Sequence, residues 1–305
     1  MALDATYVYW TSPGVGSASI VKAAINGGEV TTIASNLDGA AGIAVDNTSP
    51  TTTASNVYWT DSSSGTVMRQ SLTISGNGTP IATGQQSPAG IAVDSSGVYW
   101  VNQAPGGADN NGTVMRLTGG IATTLAFGQL QPTGLVLDDP WVYWVDLGTN
   151  GSDGNVARAQ MNGGLVTTLA TGYNVGTAPV RDSTSLYWAI CGAGYDGDGR
   201  LLRVPLDGGA VATLVGQAGN VTGTCGIAIN SSKLYFTEVW ATMSATQNNG
   251  SVLSIPVDGG TPTLLLGPPH SPQDDPNAVV ADDANLYWAN NMGGGSVMEL
   301  VGKGQ

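Results

Sequence analysis

The chain has 305 residues, of which 45 are glycine and only 10% are charged, and its formal net charge is −13. Nine Lys and Arg form no basic stripe, which excludes nucleic acid as a partner and disfavours an anionic membrane surface. A hydrophobic share of 41% excludes disorder, and no apolar run is long enough for insertion into a membrane.

From the first residues onward the chain repeats itself. Ala2-Leu3-Asp4 is the tail of one apolar segment, and Tyr9-Trp10 follows it. The aromatic pair returns as Tyr58-Trp59, Tyr99-Trp100, Tyr143-Trp144, Tyr187-Trp188, Tyr235-Phe236 and Tyr287-Trp288. Each of these later pairs follows a segment like residues 90–94, GIAVD, and precedes one like residues 112–117, GTVMRL. A fourth apolar segment closes every unit except the last. All four segment types are short, β-branched or aromatic, and bounded by Gly, Pro, Asn, Asp or Ser, which is strand chemistry. No window shows a helical period with caps. Asn26-Gly-Gly, Thr118-Gly-Gly, Asn162-Gly-Gly, Asp207-Gly-Gly and Asp258-Gly-Gly join third to fourth segments, and such residues tolerate the positive φ of hairpin turns.

Four strands repeated every 40–50 residues or so predict an all-β fold, a seven-bladed β-propeller of four-stranded antiparallel blades around a central channel. The units span residues 1–36, 42–84, 90–126, 134–172, 178–216, 226–267 and 278–301, within one domain over 1–305. The last blade is expected to be three-stranded, with its third strand left as an edge. One first-to-second connection is long, NTSPTTTASN after Asp46.

Residues 58–61 read Tyr-Trp-Thr-Asp, and the chain here resembles the YWTD propellers of lipoprotein receptors. The segment 88–94, PAGIAVD, is similar to the NHL and TolB-like bacterial propellers. This resemblance covers nearly the whole chain and implies the fold; YWTD propellers usually have six blades, against seven units here. In that family the last Asp of the tetrapeptide ties neighbouring backbone together.

Long connections follow the second strands and the fourth strands, so they emerge on one face: QAPGGADNN, LGTNGSDG, CGAGYDGDG, VWATMSATQNN and GPPHSPQDDPN. Function concentrates on long loops held by a rigid scaffold. The ligand site is therefore expected on the face bearing Asp109, Asp153, Tyr195, Trp240 and His270. Asp61, Asn102, Asp146, Glu238 and Asn290 end the second strands there, either as turn caps or as a polar ring facing a ligand. Tyr173, Tyr195 and Trp240 lie outside the aromatic repeat and suit stacking on a sugar or another flat ligand. Lys22, Arg69, Arg116, Arg158 and Arg203 recur on the third strands, where their stems are expected to pack across Tyr or Trp of the next blade.

Catalytic chemistry finds no motif. His270 is the only histidine, so every His-dependent triad must use it. Streptogramin lyases, which resemble this chain in architecture, place a catalytic histidine where Ala89, Thr133 and Asn277 stand here. Gluconolactonase-like propellers hold a funnel metal with Glu, Asn and Asp, a set that Asn277, Glu238 and Asp146 could imitate. Asp196 and Asp198 suggest a loop site for calcium or magnesium, but Arg200 stands where an EF-hand needs its third acidic ligand. No cofactor is required. Cys191 and Cys225 end up on the same face at neighbouring units and are expected to form a disulfide, which fits an oxidising compartment. The sequence thus reads as a secreted or periplasmic binding module, without a visible signal peptide, monomeric, and holding a protein, glycan or small molecule. The alternative is a metal-assisted lyase or hydrolase.

Overall fold

The computed structural model describes residues 1–12, 17–46, 53–104, 111–149, 153–173, 176–190, 199–216, 224–239, 250–267, 276–290 and 296–302. The chain divides into two compact units, Met1–Thr171 and Gly172–Gln305. The first holds four sheets. Blade 1 is β1 (Ala2–Leu3), β2 (Tyr7–Ser12), β3 (Ala18–Ala24) and β4 (Thr31–Leu37). Blade 2 is β5 (Ala40–Val45), β6 (Asn56–Asp61), β7 (Thr66–Ser71) and β8 (Thr79–Ala82). Blade 3 is β9 (Pro88–Asp94), β10 (Gly97–Asn102), β11 (Gly112–Thr118) and β12 (Ile121–Gln129). Blade 4 is β13 (Pro132–Asp138), β14 (Trp141–Asp146), β15 (Asn155–Gln160) and β16 (Thr167–Thr171).

The second unit holds three more. Blade 5 is β17 (Val180–Arg181), β18 (Ser185–Ile190), β19 (Arg200–Pro205) and β20 (Ala212–Val215). Blade 6 is β21 (Thr224–Ile229), β22 (Lys233–Val239), β23 (Gly250–Pro256) and β24 (Thr263–Leu266). Blade 7 is β25 (Pro276–Ala281), β26 (Asn285–Asn290) and β27 (Ser296–Val301). Every sheet is antiparallel and runs in chain order, so the fold class is a seven-bladed β-propeller with a three-stranded last blade.

Each first strand ends in Asp or Asn for a physical reason. Asp94 Oδ1 accepts from the N–H groups of Ser96 and Gly97, which closes the turn into β10. Asp4, Asp46, Asp182, Asn230 and Asp282 repeat the arrangement. The second carboxylate oxygen is also used: the hydroxyls of Tyr9, Tyr187 and Tyr287 donate to Oδ2 of Asp4, Asp182 and Asp282 at 2.8, 2.7 and 3.2 Å. Burial, and the bond to Asp182, push the Tyr187 hydroxyl up to about 12.

Side chains alternate across a strand, so the Tyr and Trp of one pair face opposite sides of their blade. Tyr9 shares a buried cluster with Trp59, Tyr58 with Trp100, and Tyr99 with Trp144. In the second unit Tyr187 packs with Phe236 and Tyr235 with Trp288. Within each unit, then, a blade presents its Tyr to the Trp or Phe of the next blade. Truncating a buried ring of this size generally costs about 3–5 kcal/mol.

Two further devices bring blades together. Thr60 Oγ1 accepts from Gly42 N–H and donates to the Ala89 carbonyl of the next blade at 2.5 Å. Thr237 does the same between Gly226 and the Asn277 carbonyl. Glycine is required where these inner strands meet. A Cβ on Gly90 would lie 2.6 Å from Thr133 O and 2.7 Å from Gly134 Cα, both backbone atoms.

The third-strand cations correct one expectation. They pack across rings of their own blade: Lys22 over Tyr7, Arg116 over Tyr99 and Arg158 over Trp141. Strand register is the cause, because Lys22, Arg69, Arg116, Arg158 and Arg203 lie directly opposite the Tyr of the same blade's pair. What reaches the next blade is the guanidinium, which donates from Arg116 to Met161 O at 3.0 Å and from Arg203 to Val257 O at 3.2 Å.

Gly90→Ala is expected to lower the urea midpoint by an amount equivalent to about 1–3 kcal/mol, since backbone on both sides must move. Equilibrium unfolding followed by tryptophan fluorescence checks this.

Candidate functional site

The strand bounds make the two ends of the blades unequal. Second-to-third connections span 103–111, 147–154, 191–199 and 240–249, and the last fourth-to-first connection spans 267–275. At the other end, first-to-second connections are as short as 95–96 and 139–140, with 46–55 the exception. Tyr195, Trp240, His270, Asp109, Asp196, Asp198 and Cys191 lie outside the described residues. The strand ends beneath those connections are described.

In the first unit the expected polar positions hold their own blades together. Asp61 is 4% exposed and accepts from Ser64 N–H at 3.0 Å and from Asp38 N–H at 3.2 Å. Asn102 donates to Gln85 Oε1 and to Thr113 Oγ1, both at 3.0 Å, and its Oδ1 has no donor. Asp146 is fully buried and accepts from Asn155 Nδ2 at 2.9 Å. Burial pushes its carboxyl up to about 6, offset in part by Asn155 and by the Leu130 N–H. That N–H favours the charged form without meeting Oδ1 in hydrogen-bond geometry. Asp153 folds back on its own loop, accepting from the N–H and hydroxyl of Thr149 at 2.8 Å each.

Gln85 and Gln129 are contributors that the sequence reading missed. Gln85 Oε1 receives Trp100 Nε1 at 3.0 Å, and Gln129 Oε1 receives Trp144 Nε1 at 2.9 Å. Each follows a glycine of positive φ: Gly84 lies just past β8, and Gly128 sits at a bulge before the last residue of β12. The signal was a recurring Gly-Gln dipeptide at or just past the end of the fourth strand. Tyr173, after Gly172 of φ 87°, occupies the same slot in the second unit. Its ring meets Trp188 edge to face, with centroids 5.8 Å apart.

Elsewhere in the second unit, Glu238, Asn277 and Asn290 stand at one end of blades 6 and 7. Thr237 Oγ1 donates to Asn277 O at 3.1 Å, which joins the strand bearing Glu238 to the start of β25. Pro276, next to Asn277, is in register with Asn290. The Asn277 side chain is exposed, while Asn290 is buried, donates to Ser296 Oγ at 3.1 Å, and leaves Oδ1 without a donor. Glu238 is 4% exposed. Burial pushes its carboxyl up to about 7, and no hydrogen bond among the described residues offsets it. Such a carboxyl can give or take a proton near neutral pH. Among the described residues no three His, Cys, Asp or Glu side chains converge as metal ligands.

The raised Glu238 carboxyl has a definite consequence for stability. The folded state holds its proton more tightly than the unfolded chain, so stability is highest below the ordinary value of 4.5 and falls as pH rises to about 7. Glu238→Gln should remove that fall, and its advantage over the parent should grow between those pH values. Urea titrations from pH 4 to 8 or so measure it, and parallel curves for the two proteins would contradict it.

No family model matches the chain, and no curated protein does. Solved structures do. A chain from the nidogen/laminin complex shares 19% identity at a TM-score of 0.53, covering 78% of this chain and 86% of that one. The selenomethionine-substituted virginiamycin B lyase from Staphylococcus aureus shares 14% at 0.63, covering 93% and 92%. Hydrazine synthase of Kuenenia stuttgartiensis shares 14% at 0.70, covering 98% and 94%. At these identities the likeness is one of fold.

Proposed function

We propose that this chain is a binding module of the secreted or periplasmic space. It takes a protein, glycan or small molecule at the long-connection end of its blades. The observation that carries the reading is the unequal connection length at the two blade ends. Two of the long connections spring from strand ends that are locked from within, as Asn102 and Asp146 spend hydrogen bonds on their own blades and on the preceding connection. A rigid rim beneath variable loops is how scaffolds present recognition surfaces. Trp240, Tyr195 and His270 are the side chains assigned to contact the ligand, and Tyr173 packs against Trp188. The resemblance to YWTD and TolB-like propellers supports an address outside the cytoplasm. So does a structural neighbour taken from a complex with laminin.

A second reading rests on Glu238. A buried carboxyl pushed up to about 7 is a proton donor or acceptor in waiting, and Asn277 lies on the first strand of the next blade. On that reading the chain is a lyase or hydrolase that uses its carboxylates, with calcium or magnesium as assistant.

Screening against a glycan array and a panel of extracellular proteins that includes laminin separates the two. For a binding module, Trp240→Ala should weaken capture by about tenfold or more, the usual effect of losing an aromatic anchor. Ile121→Ser, at the opposite blade end, should leave it unchanged. For an enzyme, Glu238→Gln should abolish turnover and spare binding.

The same reading assigns a disulfide between Cys191 and Cys225, supported by the absence of any free cysteine among the described residues. It would stabilise by about 2–4 kcal/mol. Thiol titration of the denatured, unreduced protein should find none, and two free thiols would remove the argument for export.

A further inference from the structure

In blades 1 and 3–6 the hairpin between third and fourth strands turns on Asn, Asp or Thr followed by Gly-Gly. Blade 2 has instead residues 72–78, which read Leu-Thr-Ile-Ser-Gly-Asn-Gly. This connection is held in place from two sides. Gln70 is 6% exposed and donates from Nε2 to the carbonyls of Ser71 and Ile74 at 2.9 and 2.7 Å. Its Oε1 accepts from Gly78 N–H at 2.8 Å. Asn77 reaches across to the outer strand of blade 1. Its Oδ1 accepts from Ser35 N–H at 2.7 Å, and its Nδ2 donates to Ser35 O at 3.0 Å. These are the two main-chain bonds that a strand residue beside β4 would make with Ser35.

Along β4, beside that stitch, runs a cleft of about 620 Å³. Thr31, Thr32 and Ile33 line it from β4, and Leu72, Thr73 and Ile74 line it from the connection. Among the described residues no main-chain bond crosses it. Ile74 is 68% exposed. Lys22, in register with Thr31, is the only charged residue of the lining. Its ammonium lies 3.9 Å from the centroid of the Tyr7 ring and has no carboxylate partner among the described residues. We propose that this cleft is a second binding site, separate from the long-connection end, for an extended acidic peptide segment. The segment lies along the edge of β4, with an apolar side chain against Ile33 and Ile74 and an Asp or Glu beside Lys22. Asn77 already makes on this edge the bonds that such a segment would extend. Main-chain bonds give strand addition its affinity, and side-chain pockets give its specificity. Because Gln70 and Asn77 hold the wall without a ligand, binding has little left to order. A sugar finds no aromatic ring in the lining to stack on. Pairing with a second copy would join two chains of net charge −13 each.

The test uses the full chain and a fluorescein-labelled synthetic copy of residues 18–24 carrying Lys22→Glu. That segment already pairs with β4 on its inner side, with position 22 opposite Thr31. Fluorescence anisotropy should rise to saturation, and amide exchange at 31–34 should slow by about tenfold or more at saturating peptide. The same peptide N-methylated at alternate residues, in either phase, should not bind. The unsubstituted copy of 18–24 should bind about 1.5- to 5-fold more weakly than the Glu form, the usual range for a charge pair on a sheet. Lys22→Glu in the protein should reverse that preference. Ile74→Ser changes an exposed side chain, leaves the fold intact, and should weaken binding by about fivefold or more. The proposal is overturned if an N-methylated peptide binds as well, if Lys22→Glu leaves the preference unchanged, or if Ile74→Ser has no effect. It is also overturned if rising protein concentration, rather than peptide, protects residues 31–34, which would assign the edge to a second copy.

Discussion

The structure depends on a one-way aromatic contact. Because the second strand turns alternate side chains to opposite faces, a Tyr-Trp dipeptide serves two interfaces at once. Within each unit the Tyr meets the Trp or Phe of the following blade, and that blade's own Tyr is left for the next. Everything near the contact is arranged so that these rings can stay buried. The Tyr hydroxyls find Asp carboxylates at the hairpin turns, the indole N–H groups of Trp100 and Trp144 find glutamine oxygens, and the cations of β3, β11 and β15 cover ring faces of the first unit. A buried donor left without an acceptor costs more than the bond itself contributes, a cost avoided at Trp100 and Trp144 but not at Trp59 and Trp188, whose indole N–H groups are buried without an acceptor.

The polar residues at the second-strand ends fall into two kinds. Asp61, Asn102 and Asp146 have neighbours from their own loops or from the preceding connection. Asp146 nevertheless has a raised pKa, because a single amide does not replace the water it has lost. Glu238 has no such compensation among the described residues, and its carboxyl is pushed up further than that of Asp146. Equivalent positions in a repeat thus carry different chemistry once their second neighbours differ.

Strand count, blade count and the short last blade were all legible in the sequence, because they follow from local pattern: period-two apolar runs and glycine turns. The inter-blade use of Tyr9, Trp59 and Trp100 was legible for the same reason. The direction of Arg116 was not, since it depends on which residue faces it across the ladder, and register is a pairwise property. Nor was the role of Gln85 and Gln129, whose bonds cross from one blade to the next. Tyr173 looked like a loop aromatic until the positive φ of Gly172 placed it in the glutamine slot. The proton affinity of Glu238 reflects three-dimensional burial, which no local window reports.

The Tyr-to-Trp contact also has a polarity, and that bears on how such a chain can change over generations. A blade copied whole carries a Tyr for the blade after it and a Trp for the blade before it. A duplicated unit would therefore arrive with both of its interfaces already matched, and neither neighbour would need to alter. A unit cut between its second and third strands, for example, would bring its aromatic pair without the third-strand cation that attends it. Gain and loss of blades in this lineage should therefore occur in whole units, with the joins falling near the glycines of positive φ that end the fourth strands.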